Sequence, residues 1–267
     1  SGTYASRFGN VVPTHYWYVD DETQARALFA EFPRMLDFLE EAVGPYPFGA
    51  EKMGVAETPF KGMEHQTINA YGNLYAKTPY GYDDLLQHEL AHEWFGNQVT
   101  NANWDDMWLH ESFATYMQPL YAESIGGRQA YFASLMQLRR RIANRHPIVS
   151  GKPQREEDVY DEDRGPGQDI YDKGALMLHT LRGLIGDDAL RRSMRLLVYG
   201  TEHPVPGNFS PRYGTTAEYI DIVNTVSGRD MNWFFDVYLK QAVLPDLTVT
   251  RDGQQLRSLA ERYERDV

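Results

Sequence analysis

The stretch Asp83-Asp84-Leu85-Leu86-Gln87-His88-Glu89-Leu90-Ala91-His92 sets two imidazoles four positions apart. On an α-helix, His88 and His92 therefore stack on one face, one turn apart. Two imidazoles so placed can bind one Zn²⁺. Glu89 lies between them, beside the metal rather than on it. Downstream, Trp108-Leu109-His110-Glu111-Ser112-Phe113-Ala114-Thr115-Tyr116 again reads as a helix with an apolar face. From that second helix Glu111 can supply a third ligand. Three protein ligands leave the fourth tetrahedral position open, the mark of a catalytic rather than a structural zinc. The expectation is one zinc per chain. A water in the open position has its pKa lowered toward neutrality, and Glu89 is placed to take its proton and pass it to a leaving amine.

Outward from this motif, the patterning changes along the chain. Residues 11–19 read as a strand and 21–43 as a helix stopped by Gly44-Pro45. Residues 51–58 and 65–75 look extended. From Asp83 the pattern is mostly helical, over 83–97, 109–125, 127–144, 169–185, 187–199, 215–226 and 230–241. This order predicts an α+β domain, a small N-terminal mixed sheet packed on a larger helical part. The acidic run from Arg155 to Arg164 reads as a solvated loop that can border the cleft. Leu247 to Thr250 reads as a strand that begins something else after Leu244-Pro245. The expected division is a catalytic domain over 1–245 and a tail over 246–267.

Composition narrows the function classes. The 267 residues are 42% apolar, enough to bury a large core. A net charge of −12 argues against nucleic acid or an anionic membrane surface as partner. There is no cysteine, so zinc must be held by histidine and carboxylate. No apolar run is long enough to enter a membrane, and no signal peptide is present. The chain opens at Ser1-Gly2-Thr3 without a methionine, as expected of an excised segment.

Four segments together carry a resemblance: Lys61-Gly62-Met63-Glu64-His65, the run from His88 to Asn97, Trp108 to Ala114, and Tyr171-Asp172-Lys173-Gly174, with Gly44-Pro45-Tyr46-Pro47 upstream. The sequence resembles the aminopeptidase N family of gluzincin metallopeptidases from about residue 10 to about 245. The resemblance implies a thermolysin-like catalytic domain acting on peptide substrates. It implies that the Gly62-Met63-Glu64 strand runs along the substrate and that Glu64 binds the free α-ammonium. It implies that the Tyr171 hydroxyl donates to the oxyanion. Gln118 stands where relatives carry an acidic residue that orients a ligand histidine.

The chain departs from the family pattern at Lys61 (usually Gly), His65 (usually Asn) and His110-Glu111-Ser112 (usually Asn-Glu-Gly). Trp94, Phe95, Trp104 and Trp108 are expected mainly in the core, with one free to wall the first side-chain pocket. Flanking domains of a longer parent chain are also implied, including an N-terminal β domain that contributes to the amine site. Two other readings stand beside this one. The first is a gluzincin endopeptidase, favoured if N-blocked peptides are cut as well as free ones. The second is a non-catalytic peptide-binding domain, against which the intact His88, Glu89, His92, Glu111 and Tyr171 set speaks.

Overall fold

The computed structural model describes residues 1–207 and 209–242. The strand expected over 247–250 and the tail expected from 246 lie outside the described residues. The N-terminal part holds strands β1 (Gly2–Ala5) and β2 (Val11–Trp17), helices α1 (Glu22–Phe29) and α2 (Phe32–Ala42), and strands β3 (Met53–Glu57), β4 (Gly62–Met63) and β5 (Asn69–Tyr71). The strands form one mixed sheet in the order β1-β2-β3-β5-β4. The two central pairings are parallel and the two edge pairings antiparallel.

The single helix expected over 21–43 is two. Pro33 has no N–H to continue an earlier turn, so it sits at the start of a new helix instead. Asp21 caps α1, accepting from the Gln24 N–H at 2.9 Å.

Beyond the sheet the chain is helical: α3 (Asp84–Ala91), a long α4 (Trp108–Arg139), the short α5 (Glu156–Val159), α6 (Asp172–Ile185), α7 (Asp187–Tyr199), α8 (Thr216–Ser227) and α9 (Asn232–Tyr238). Asp83 caps α3 by accepting from the Leu86 N–H at 2.9 Å. The helix expected to reach 97 stops at Ala91, and the chain winds back through Gly96 at φ 146°. In α4, Gly127 (φ 69°, ψ −167°) breaks the helical path, which divides it where two helices were expected. Strands β6 (Val99–Asn101) and β7 (Arg212–Gly214) pair in parallel and were not anticipated.

The core lies between sheet and helices. Trp94, Phe95, Trp108 and Phe113 are fully buried. Phe113 stacks on Phe95 with ring centroids 4.7 Å apart and meets Tyr219 of α8 edge-on at 5.2 Å. Each such side chain contributes about 1.5–3 kcal/mol by leaving water. Polar anchors fix the frame: Trp108 Nε1 donates to Thr216 Oγ1 at 2.8 Å, and Asp106 accepts from the Thr216 N–H at 2.8 Å. These bonds tie the start of α4, and so Glu111, to the start of α8. Among the described residues no helix is long and apolar enough to cross a membrane.

Candidate active site

The helical period brings His88 and His92 together on α3, and the first turn of α4 brings Glu111 against both. The two Nε2 atoms are 3.0 Å apart, and Glu111 Oε2 lies 3.4 Å from each. The Phe95 carbonyl is 2.8 Å from His92 Nδ1. A carbonyl can only accept, so Nδ1 carries a proton and Nε2 is the nitrogen that faces the site. This is the return the chain gains by stopping α3 early.

Glu111 Oε1 accepts from the hydroxyls of Tyr171 (2.9 Å) and Tyr160 (3.3 Å). Its Oε2 is buried with no hydrogen-bond partner. A buried, unpartnered carboxylate oxygen facing two imidazole nitrogens is costly unless a cation completes it. Two imidazoles and one carboxylate with no sulfur form a donor set that suits zinc. The local potential also favours a cation. Burial alone would raise the Glu111 carboxyl, yet His88 and His92 hold it well below the usual range. At His92 burial works downward, but Glu64 and Glu111 outweigh it and raise the imidazole to about 10.

Glu89 is buried, and its Oε2 also lacks a partner. Burial, with Glu64 and Glu111 adding, raises its carboxyl to about 8. A proton affinity near neutrality suits a group that must take and return a proton. Strand β4 lies directly against it, since a Cβ on Gly62 would collide with Glu89 Oε1. Two bonds hold this strand's partner and its loop to α3 and the turn that follows it. Asn69 Nδ2 donates to the Glu89 carbonyl at 2.8 Å, and the Thr67 N–H donates to buried Glu93 at 2.8 Å. Glu64 follows β4 directly, and its carboxylate clusters with Glu89 and His92, ligating atoms all within 4.8 Å. Met63 is exposed beside it.

Tyr171 stands at the N-terminus of α6, its ring centroid 6.1 Å from that of His88. Sequence reading missed Tyr160 as a site residue. It lies just after α5 in the acidic loop, whose placement at the cleft was the only available signal. Trp104 meets Tyr160 edge-on with centroids 6.5 Å apart, while Trp94, Phe95 and Trp108 are core. Gln118 does not orient a ligand histidine by a hydrogen bond. Its amide donates to the Asp84 carbonyl at 3.0 Å, bracing the first turn of α3, and the Phe95 carbonyl orients His92 instead. His110 is buried behind the site. Its Nε2 accepts from the Asn101 N–H at 2.9 Å, and its Nδ1 lies 4.0 Å from Glu64 Oε1.

A cleft of about 970 Å³ opens from these groups, lined among others by Lys61, Gly62, His88, Glu89, Tyr160 and Tyr171. A second cavity, about 460 Å³ between α2, α4, α6 and α7, shares none of these side chains. What the arrangement can do is hold one cation, keep a protonatable carboxylate beside it, and present a second carboxylate and phenolic donors to a molecule in the cleft.

Residues 31–238 match the Peptidase family M1 domain. The chain is 30% identical over 187 residues to the Tricorn protease-interacting factor F2 of Thermoplasma volcanium, a match covering 68% of this chain and 22% of that protein. It is 31% identical over 157 residues to aminopeptidase B of Rattus norvegicus, covering 55% and 24%. Among solved structures, a two-domain M1 zinc metallopeptidase variant bound to L-arginine superimposes with a TM-score of 0.73 at 27% identity, covering 92% of this chain and 52% of that one. The Deinococcus radiodurans M1 zinc metallopeptidase variant bound to a Tyr-Ser-Ala substrate gives 0.66 at 28% identity, covering 89% and 50%. The chain thus spans about a fifth of the length of the curated relatives and about half that of the solved ones. A mixed sheet leaning on helices, two imidazoles on one helix and a carboxylate from the next are what this match leads one to expect, and the chain belongs to peptidase family M1.

Proposed function

We propose that this chain is the catalytic domain of a zinc-dependent aminopeptidase that removes N-terminal residues from peptides. The observation that carries the reading is Glu64. It is a carboxylate placed just after β4, within 4.8 Å of ligating atoms of Glu89 and His92. A negative group so close to the reacting centre selects for a peptide's charged N-terminus and measures off one residue. The names of relatives, aminopeptidase B and aminopeptidase N of Lactobacillus helveticus among them, support the same reading.

His88, His92 and Glu111 are the residues that would hold the zinc. When bound there, zinc lowers the pKa of a water and polarises the scissile carbonyl. Glu89 takes the proton of the attacking water on a carboxylate oxygen and returns it to the leaving nitrogen. Its burial keeps that carboxyl protonatable near neutrality. Tyr171 offers an O–H donor to the carbonyl oxygen as it gains charge. Gly62 and Met63 line the strand along which the peptide lies.

The test compares aminoacyl reporter amides with their N-acetylated forms. Glu64→Ala is expected to depress kcat/KM on free-amine substrates by roughly ten- to a hundred-fold, the value of a charge-assisted pair. Slow cleavage of N-acetylated substrates should stay nearly unchanged. Equal losses on both would assign Glu64 to supporting the strand and move the endopeptidase reading ahead.

A further inference from the structure

His110 directly precedes the ligand Glu111, where the family usually has asparagine, and its side chain is buried. Its two ring nitrogens face different tasks. Nε2 accepts from the Asn101 backbone N–H at 2.9 Å, so it cannot carry a proton. The proton of the neutral ring is therefore on Nδ1. Nδ1 is buried and has no hydrogen-bond partner. A buried N–H without an acceptor is rare and costly, and it calls for an explanation.

Several acceptors of the site are engaged elsewhere. The Phe95 carbonyl faces His92 Nδ1. Glu111 Oε1 takes two tyrosine hydroxyls, and its Oε2 faces His88 and His92. Glu64 has no hydrogen bond among the described residues, and its Oε1 is 4.0 Å from His110 Nδ1. An approach of about 1 Å would bring that oxygen within hydrogen-bond reach.

We infer that His110 is a positioning residue for amine recognition: its Nδ1–H holds one oxygen of Glu64 and so turns the other toward the α-ammonium of the substrate. This rests on the aminopeptidase reading of Glu64.

Two amide variants separate the ring's tasks. His110→Asn keeps a donor at the Nδ1 place and gives up the contact to Asn101. His110→Gln keeps an acceptor at the Nε2 place and gives up the donor to Glu64. Both are measured with zinc content, on aminoacyl 4-nitroanilides and their N-acetyl forms. Calorimetry with a free amino acid amide and its N-acetyl form gives affinity apart from turnover.

H110Q is expected to raise KM and Kd for free-amine compounds about tenfold, as for loss of one hydrogen bond to a charged group. Its kcat and its behaviour toward N-acetyl compounds should be little changed. H110N should stay within about twofold of wild type, by the same donor argument. The reverse ranking, or equal behaviour of the two variants, overturns the proposal and leaves His110 as a prop for Asn101. Glu64→Ala separates the levels. If it spares free-amine selectivity, the aminopeptidase reading falls and takes this inference with it. If it abolishes selectivity while H110Q leaves free-amine KM and Kd at the wild-type level, only the inference about His110 fails. Should H110Q not fold, ¹⁵N spectra of the wild-type histidine rings decide. Nδ1-protonated His110 whose Nδ1–H moves downfield only with the free-amine ligand supports the proposal. An Nε2-protonated ring overturns it.

Discussion

Glu89 differs from the two histidines around it in its proposed role, a base beside the metal rather than a ligand to it. Its carboxylate is buried, unpartnered at Oε2 and pressed by the backbone of Gly62. Glu89→Gln keeps the shape and removes the base. Turnover should fall by about two to four orders of magnitude while zinc content, measured by metal analysis, is unchanged. Loss of metal together with activity would make Glu89 structural instead. Tyr171→Phe removes one donor and little volume, so kcat should drop roughly 10²–10³-fold with KM nearly constant; unchanged turnover would assign the ring to packing. At this scale the sequence was informative wherever chemistry sits on a regular period. His88, Glu89 and His92 share one helix, and the helical repeat alone fixes their relation. Tyr160 was invisible because it reaches Glu111 from a distant loop. Gln118 shows the complementary limit. Its spacing from Glu111 put it on the right helix, but a long amide can end on a backbone carbonyl as readily as on an imidazole.

The crossing of α4 and α6 shows how elements set the spacing of the site. Ser112 follows the proposed ligand Glu111, and its Oγ donates to the Ile170 carbonyl at 2.5 Å. Gly174 lies opposite, where an added Cβ would run into Ser112 Oγ. The glycine of Tyr171-Asp172-Lys173-Gly174 thus makes room for the serine that this chain carries after Glu111. Gly174→Ala should destabilise the fold by about 1–3 kcal/mol through overpacking, read as a lower urea midpoint at fixed zinc. Adding Ser112→Gly should recover most of that loss, and a double variant no better than G174A would refute the steric account. Long helices were legible because their apolar faces repeat over many turns. The split between α1 and α2 was not, since apolar positions run straight through Pro33. Strands β4, β6 and β7 span only two or three residues, too short for alternation to be visible.

Across the whole molecule, the proposed metal joins α3 to α4, two helices separated by a turn and the short strand β6. Chelation should therefore lower thermal stability as well as abolish activity. Readdition of zinc at a hundredfold excess over its Kd should restore about 2.7 kcal/mol. A melting temperature indifferent to chelator would show that the helices meet without help from the cation. The parallel pair β6–β7 carries a consequence of another kind. It fastens residues just before α4 to a strand more than a hundred positions later, and the bonds from Thr216 to Asp106 and Trp108 close beside it. Every side chain proposed to act on the substrate or the metal, from Glu64 to Tyr171, precedes β7 in the chain. A ribosome thus emits the reactive groups first and their clasp afterwards.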